Sequence, residues 1–505
     1  MANKKNLLVV SLLLILGACG NGNSTTSTIT TNKPTTPFNP WPTTSSNSST
    51  LVTDINDFVF KKNENNTYDI VQYNNYLPEK VVIPEEYEGI KITGILEDAF
   101  AGKTSGIKTI VLSKNIEYCS SLSFINSFTI ENFEVDQDNN YFTSVDGVLY
   151  NKNISELIYA PRNINEITLP NSVKKILDNG FKGCRASKII LNDGLEEIGN
   201  NAFENTSKLE TIKIPNSVLT LGEELFSLSN VYSIEIGTGI NNLPYHFVNN
   251  CDNLNNIIIP GNVKKISMLA FYESQGLYNV TLEEGVEEIE YGGFANCGCT
   301  NVSLPTSLRK IGSEAFTRNL FLQNITIPEG VEELGDGVFY ACGYLKTLSL
   351  PSTLKKIGVS VVAYCNYLNT ISLPNSCQDF EIVNNVLYSK DKTRLLAFPG
   401  DHASFSYVVP EGVTTIDREA FSGVRRLNEL SLPSSLKFIG SYCFRETAQL
   451  NEISYNGTVI DWAKVTKSEV YYQINDNGTY DEIDVYWNDL SNVKSVICID
   501  KTISV

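Results

Sequence analysis

Apolar residues in this chain return at a fixed interval. In LKTLSLP, Leu345 to Pro351, the apolar residues Leu345, Leu348 and Leu350 stand at i, i+3 and i+5, and Thr347 and Ser349 fall between them. The end of that stretch alternates as a short strand does, with successive side chains on opposite faces. In LKKIG, which follows, Leu354 and Ile357 point inward and Lys355 and Lys356 outward. An Ala-Phe pair precedes the next strand, as at Ala202-Phe203, Ala270-Phe271, Ala315-Phe316 and Ala420-Phe421. It reads as a short helical turn that carries an aromatic ring into the interior.

The residue closing each strand falls at Leu169, Leu191, Ile214, Ile236, Ile259, Leu282, Leu304, Ile327, Leu350 and Leu373, always 22 or 23 positions apart. The series resumes at Val409, Leu432 and Tyr455. It extends backwards, less cleanly, to Val135, Leu112 and Ile83, for sixteen units in all. Such a period predicts a solenoid, because one unit cannot cover its own apolar residues and a stack of copies can. At a strand spacing of about 4.8 Å each Leu, Ile and Phe would lie on its own copy. Pro follows most strands, as at Pro305, Pro328 and Pro351, and lacks the N–H that would continue the ladder. The Gly of KIG, EIG or FIG, at Gly199, Gly312, Gly358 and Gly440, is expected to supply a positive φ at the next corner.

The units LPTSLRKIGSEAFTRNLFLQNITIP, from Leu304, and LPSSLKFIGSYCF, from Leu432, resemble the BspA-like class of leucine-rich repeats. The resemblance spans roughly Val81 to Tyr455. It implies a β-rich leucine-rich-repeat solenoid of about sixteen stacked 22–23-residue units, with short parallel strands and short helical turns. That class occurs largely in bacterial surface proteins that adhere to host proteins, other cells or surfaces without one shared binding motif.

Two units carry an insert of equal length. VDGVLYNKNISELIYAP, near 145–161, and VNNVLYSKDKTRLLAFP, near 383–399, share Val, Val-Leu-Tyr, Lys, Leu and Pro at matching places. Apolar alternation around Asn151-Lys152-Asn153 or Ser389-Lys390-Asp391 predicts a β-hairpin. Such a hairpin either caps or bends the array or offers a ligand-facing loop.

The chain start has a different pattern. Lys4 and Lys5 precede an apolar run from Leu7 to Leu16, too short to span a bilayer and suited to the centre of a signal peptide, residues 1–18. Leu16-Gly17-Ala18-Cys19 resembles the bacterial lipoprotein box. That resemblance implies cleavage before Cys19 and a diacylglyceryl group on its thiol, enough to anchor the protein outside the cytoplasm. Residues 19–50, rich in Ser, Thr, Asn and Pro, read as a flexible tether. Residues 51–82 read as an N-terminal cap, 83–455 as the solenoid, and 456–505 as a C-terminal cap with Trp462 as its core anchor.

Charge narrows the partners. Asp plus Glu number 57 against 39 Lys plus Arg, a formal charge of −18, which argues against nucleic acid. The 2 His, His246 and His402, lie in unrelated surroundings and give no material for His-based catalysis or a metal site, so neither an enzyme nor a cofactor is expected. Asp136–Asn140 and Asn475–Gly478 share residue types with calcium loops but lack their spacing and read as turns. Cys184, Cys297, Cys342 and Cys365 share one place in their units and read as small core residues; Cys342 and Cys365, on adjacent units, are close enough in principle for a disulfide.

The exposed pairs Lys264-Lys265, Glu287-Glu288, Arg309-Lys310, Glu332-Glu333 and Lys355-Lys356 alternate in sign, which predicts either a register-setting ladder or a charged docking strip. Phe321, Tyr344 and Tyr367, each 23 apart, are expected to form an aromatic row along one edge, as a self-stack or as the contact for a partner. Together these readings describe a lipid-anchored surface protein, adhesin-like, that binds a protein or glycan, host molecules among them. The alternative is an envelope protein that acts by self-association.

Overall fold

Strand Thr347–Ser349 places Leu348 inside, between Ile325 of the strand before it and Ile371 of the strand after it, in parallel register. This like-on-like contact is the repeating event of the structure. The computed structural model describes residues 53–75, 78–100, 106–125, 127, 129–467, 470–474, 480–484 and 493–504. The segments read above as signal peptide and tether, with Cys19, and the Asn475–Gly478 turn lie outside the described residues.

Sixteen strands of this first ladder recur from Lys80–Val82 to Glu452–Tyr455, at the positions the period assigns, and they are parallel wherever they pair. Leu304, Ile327 and Leu350 accordingly face one continuous interior. The ladder goes one strand further than expected. Ser495–Cys498 pairs in parallel with Glu452–Tyr455, and Thr502–Ser504 closes it in antiparallel sense. A second ladder is built of two-residue strands such as Glu288–Ile289, Lys310–Ile311 and Glu333–Leu334, again in parallel register. Stacking makes the alternation of sign into contacts: Lys264 Nζ lies 3.3 Å from Glu287, Lys310 Nζ 3.2 Å from Glu288, and Lys355 Nζ 2.9 Å from Glu332.

The Ala-Phe segments are not helical. Among the described residues the only α-helix is Val459–Trp462, beside short 3-10 turns at Ile55–Asp57 and Ser121–Ser123. In Asn201–Asn205, alternate N–H groups leave the unit: Asn201, Phe203 and Asn205 each donate, at 2.9 Å, to Glu223, Leu225 and Ser227 of the next coil. Glu204 N–H turns back to Asn201 O at 3.1 Å. A helix directs every N–H along its own axis, whereas here half of them run along the stack, and Asn201 and Asn205 adopt φ of 55° and 58° to allow it. The segment is thus a third ladder. It holds Phe181, Phe203 and Phe226 with ring centroids 5.2 and 5.1 Å apart, in a column that continues to Phe339.

The KIG glycines do not take a positive φ. Their reason is space. A Cβ on Gly358 would come within 2.5 Å of both Asp336 N and Gly335 C, backbone atoms of the preceding coil. Gly199 and Gly440 meet the same obstacle.

Each insert is a three-stranded antiparallel meander, one strand longer than the expected hairpin. Phe142–Val145, Val148–Asn151 and Glu156–Tyr159 form the first, and Phe380–Val383, Val386–Ser389 and Arg394–Ala397 the second. The earlier turns, Asp146-Gly147 (φ 49° and 79°) and Asn384-Asn385 (51° and 65°), have the left-handed pair that fits strand twist. Both faces of each meander are buried. Val148, Tyr150 and Leu157 enter the central interior while Leu149, Ile158 and Tyr159 enter the N-terminal one. Leu387 and Leu396 likewise face the central interior, and Val386, Tyr388 and Leu395 the C-terminal one. The inserts are bulkheads across the array. They also seal the interrupted first ladder: Phe133 N–H donates to Gly147 O at 2.9 Å, and Asn385 accepts from Ile371 N–H at 3.0 Å while donating to Asn369 O at 2.6 Å.

At the start of the array, Phe58–Lys62 pairs antiparallel with Tyr68–Tyr73, which runs parallel to Ile90–Ile95. At the far end Trp462 is buried in the C-terminal interior, 5.1 Å from the ring of Tyr455, on the short helix capped by Thr458 and Asp461.

Two outcomes follow from stacking. Gly358→Ala forces a methyl against fixed backbone and should lower stability by about 1–3 kcal/mol, the usual effect of overpacking, measured by denaturant unfolding. Replacing Lys355 and Lys356 together by Glu puts acid beside Glu332 and Glu333 and should lower the melting temperature by about 1–2 °C at low salt, an effect that high salt erases; an unchanged melting temperature at low salt would count against the ladder.

Candidate functional site

The position before the inward Leu of each unit, occupied here by Phe321, Tyr344 and Tyr367 ahead of Leu322, Leu345 and Leu368, faces outward at the turn into the strand. The three side chains are 54%, 52% and 40% exposed. The structure brings two of them together. Tyr344 and Tyr367 stack with centroids 5.4 Å apart and planes 15° from parallel, whereas Phe321 has no ring partner among the described residues.

The second face of the Tyr367 ring is also covered. Arg425 lies over it with Cζ 4.5 Å from the centroid. The second insert makes this possible, because the chain returns through a narrow segment: Asp401 N–H donates to Leu368 O at 2.8 Å, and Arg425 N–H donates to Gly400 O at 2.9 Å. A Cβ on Gly400 would come within 2.4 Å of Cys365 O, so only glycine lets this segment lie against the earlier unit. Nothing in the period indicates this contact, since the two residues belong to units on opposite sides of the insert.

Beside this stack the outward strand face is tied to itself. Asn279 donates to Asn256 at 2.5 Å, Asn301 to Asn279 at 2.7 Å, Thr347 to Asn324 at 2.6 Å, and Ser372 to Ser349 at 3.0 Å. At these positions amide and hydroxyl groups are engaged along the axis. A neighbouring recess of about 500 Å³ lies between Leu373, Pro374 and the Phe380–Val383 strand with Asn384. Its lysines are engaged as well, Lys392 with Glu381 at 3.0 Å and Lys390 with Cys377 O at 2.9 Å.

The cysteines do more than fill space. All ten described are buried and free, so Cys342 and Cys365 are not bridged. Cys297, Cys342 and Cys365 each donate, at 3.0 Å, to the carbonyl of the preceding coil's Phe: Phe271, Phe316 and Phe339. Cys251 donates to Phe226 O at 2.8 Å. At the same place in its unit, Asn319 donates to Phe294 O at 2.8 Å. The column therefore selects small donors that satisfy a buried carbonyl. Burial pushes the Cys342 thiol up to about 12, far from a reactive thiolate.

The histidines stay apart. His402 is buried at the second insert; its Nε2 pairs with Asn384 O at 2.9 Å and its Nδ1 accepts from Ser404 N–H at 3.1 Å. His246 lies on the turn face, stacked on Tyr245 at 3.8 Å. Burial pushes its imidazole down to about 4, with Glu273 opposing. In the Asp136–Asn140 turn, Asp136 accepts from Asp138 N–H at 2.9 Å and buried Asn139 donates to Ser113 O at 2.8 Å, so these side chains serve the turn itself.

The family model for the BspA type leucine rich repeat region matches residues 66–155, 152–278, 264–392 and 397–470. No curated protein matches the chain. Among solved structures, a leucine-rich repeat protein from Bacteroides ovatus is 21% identical, with 82% of this chain and 98% of that one covered and a TM-score of 0.47. A leucine-rich cell surface protein from Faecalibacterium prausnitzii is 18% identical, with 84% and 100% covered and a TM-score of 0.38.

His246 provides a pH test. Its folded value lies near 4, below the ordinary 6.5, so the folded form binds fewer protons in that window. The associated stability is complete above about pH 6.5 and is lost as pH falls towards 4. Unfolding midpoints of the wild type should therefore decline more steeply over that range than those of His246→Gln, and parallel curves would refute the assignment.

Proposed function

The chain belongs to the BspA type leucine-rich repeat family, and from that premise we propose that it is an extracytoplasmic binding protein, anchored by lipid on Cys19, that engages a protein partner in an adhesin-like role. The anchor reading rests on the lysine-led apolar run ending at Leu16-Gly17-Ala18-Cys19 and on the polar segment after it. Binding is favoured over catalysis because the chain offers 2 histidines, placed at unrelated sites.

The observation that carries the reading is the exposed aromatic row of Phe321, Tyr344 and Tyr367, beside strands whose outward Thr347, Ser349 and Ser372 are bonded along the stack. Large rings held without rotamer freedom are the side chains that contribute most when a protein surface is covered. Ring orientation separates the two classes of partner. A sugar stacks on a ring face, and Tyr367, between Tyr344 and Arg425, offers its edge and hydroxyl. A protein surface can use that edge. The other reading, self-association within the envelope, would draw on Phe58–Lys62, the outer strand of its sheet. Exposed Lys61 and Lys62 on that strand oppose edge-to-edge pairing.

Replacing Phe321, Tyr344 and Tyr367 together by Ser should reduce binding of the purified protein to cells or matrix proteins by about tenfold or more while leaving its melting temperature within a few degrees. Binding that survives the triple change, or sedimentation showing that the protein only self-associates, would reject this reading.

A further inference from the structure

Arg425 differs from its neighbours in what it holds. Arg394 pairs with Asp417 at 2.7 Å and Arg426 with Asp401 at 2.8 Å. Arg425 is exposed, and among the described residues no carboxylate lies within ion-pair distance of it and its guanidinium makes no hydrogen bond. What sets it apart is the ring beneath it, since the guanidinium lies over Tyr367 with no acid beside it among the described residues. Nor does the group move freely, because it is laid on Tyr367, whose other face rests on Tyr344. A planar fork held by stacking keeps its N–H donors directed outward and loses little freedom when it is met. Further along the same edge, Leu320 and Phe321 are 48% and 54% exposed.

From this arrangement we propose that the Tyr344–Tyr367–Arg425 stack is an interaction hot spot that receives one carboxylate side chain of a partner protein, with Leu320 and Phe321 receiving apolar surface beside it. The inference rests on the binding-protein reading and specifies its partner. Carboxylate is the group that matches a guanidinium fork in two parallel hydrogen bonds. A single acidic residue is specified, not a polyanion, because the acidic chain repels a polyanion as a whole while one carboxylate pairs locally. An apolar neighbour is specified because desolvation by surrounding contacts is what makes a charged pair count in an interface. The site joins units on either side of the second insert, through Asp401 bonded to Leu368, Arg425 bonded to Gly400, and Arg425 over Tyr367.

The test is selection of random peptides displayed on phage against the full chain, purified in detergent. Binders should be enriched in a lone Asp or Glu beside an apolar residue. As synthetic peptides they should bind Arg425→Gln about tenfold or more weakly than wild type, with a matching loss when the peptide acid is changed to its amide. Arg425→Gln should keep the melting temperature, since the side chain is exposed. Binders indifferent to Arg425, or without acidic enrichment, would overturn the hot spot and leave the binding-protein reading standing. Failure to select any binder would overturn both. A soluble polyuronate that displaces the peptides from wild type, and itself binds Arg425→Gln weakly, would transfer the site to an acidic glycan and overturn the protein partner.

Discussion

Backbone hydrogen bonding along one axis is the constraint on which this molecule depends. Successive coils hand polar groups to one another at up to three places: the longer strand, the two-residue strand, and the Ala-Phe turn, where alternate N–H groups leave the unit. Once these three ladders are set, each inward side chain has its own copy as a neighbour. The phenylalanine column and the Ile and Leu columns are consequences. So are the KIG glycines, whose missing Cβ lets one coil's backbone lie on the next, and the column of Cys and Asn donors that satisfies each Phe carbonyl. A unit with a wrong residue at any of these points disturbs its two neighbours, and distant units only through them.

The same constraint explains the inserts. A stack with nearest-neighbour coupling has no natural end, and its interior could run unbroken through the chain. The two meanders divide it into three interiors, N-terminal, central and C-terminal, with apolar side chains of successive residues assigned to opposite sides. Leu149 and Tyr150 show the division within one strand: one residue faces back, the next faces forward. Each bulkhead's third strand starts the second ladder of the units that follow it, while the first ladder of the preceding units is closed by Gly147 or Asn385.

Surface chemistry follows from repetition and from its interruption. Where the period is regular, outward residues such as Asn256, Asn279 and Asn301 bond to one another and paired charges alternate, so these groups are matched within the stack. Where the second insert breaks the period, side chains from non-adjacent units meet. Arg425 on Tyr367 is such a meeting, and it leaves a charged group that is ordered but unmatched.

The period, the inward and outward positions, the sixteen strands and the sign alternation were all legible in the chain, because each depends only on spacing between residues that repeat. Spacing alone did not reveal how the units use their third dimension. The Ala-Phe segment reads as helix by composition, and becomes a ladder because the neighbouring coil offers acceptors that an isolated turn lacks. Gly358 reads as a turn glycine, but the atoms that require it belong to residues 335 and 336 of the coil beneath. The inserts read as hairpins, yet only stacking against two interiors gives both of their faces a reason to be apolar. The aromatic row was visible as three residues 23 apart, whereas its arginine was not, since the fold brings Arg425 to Tyr367 across an interruption of the very period by which the row was found.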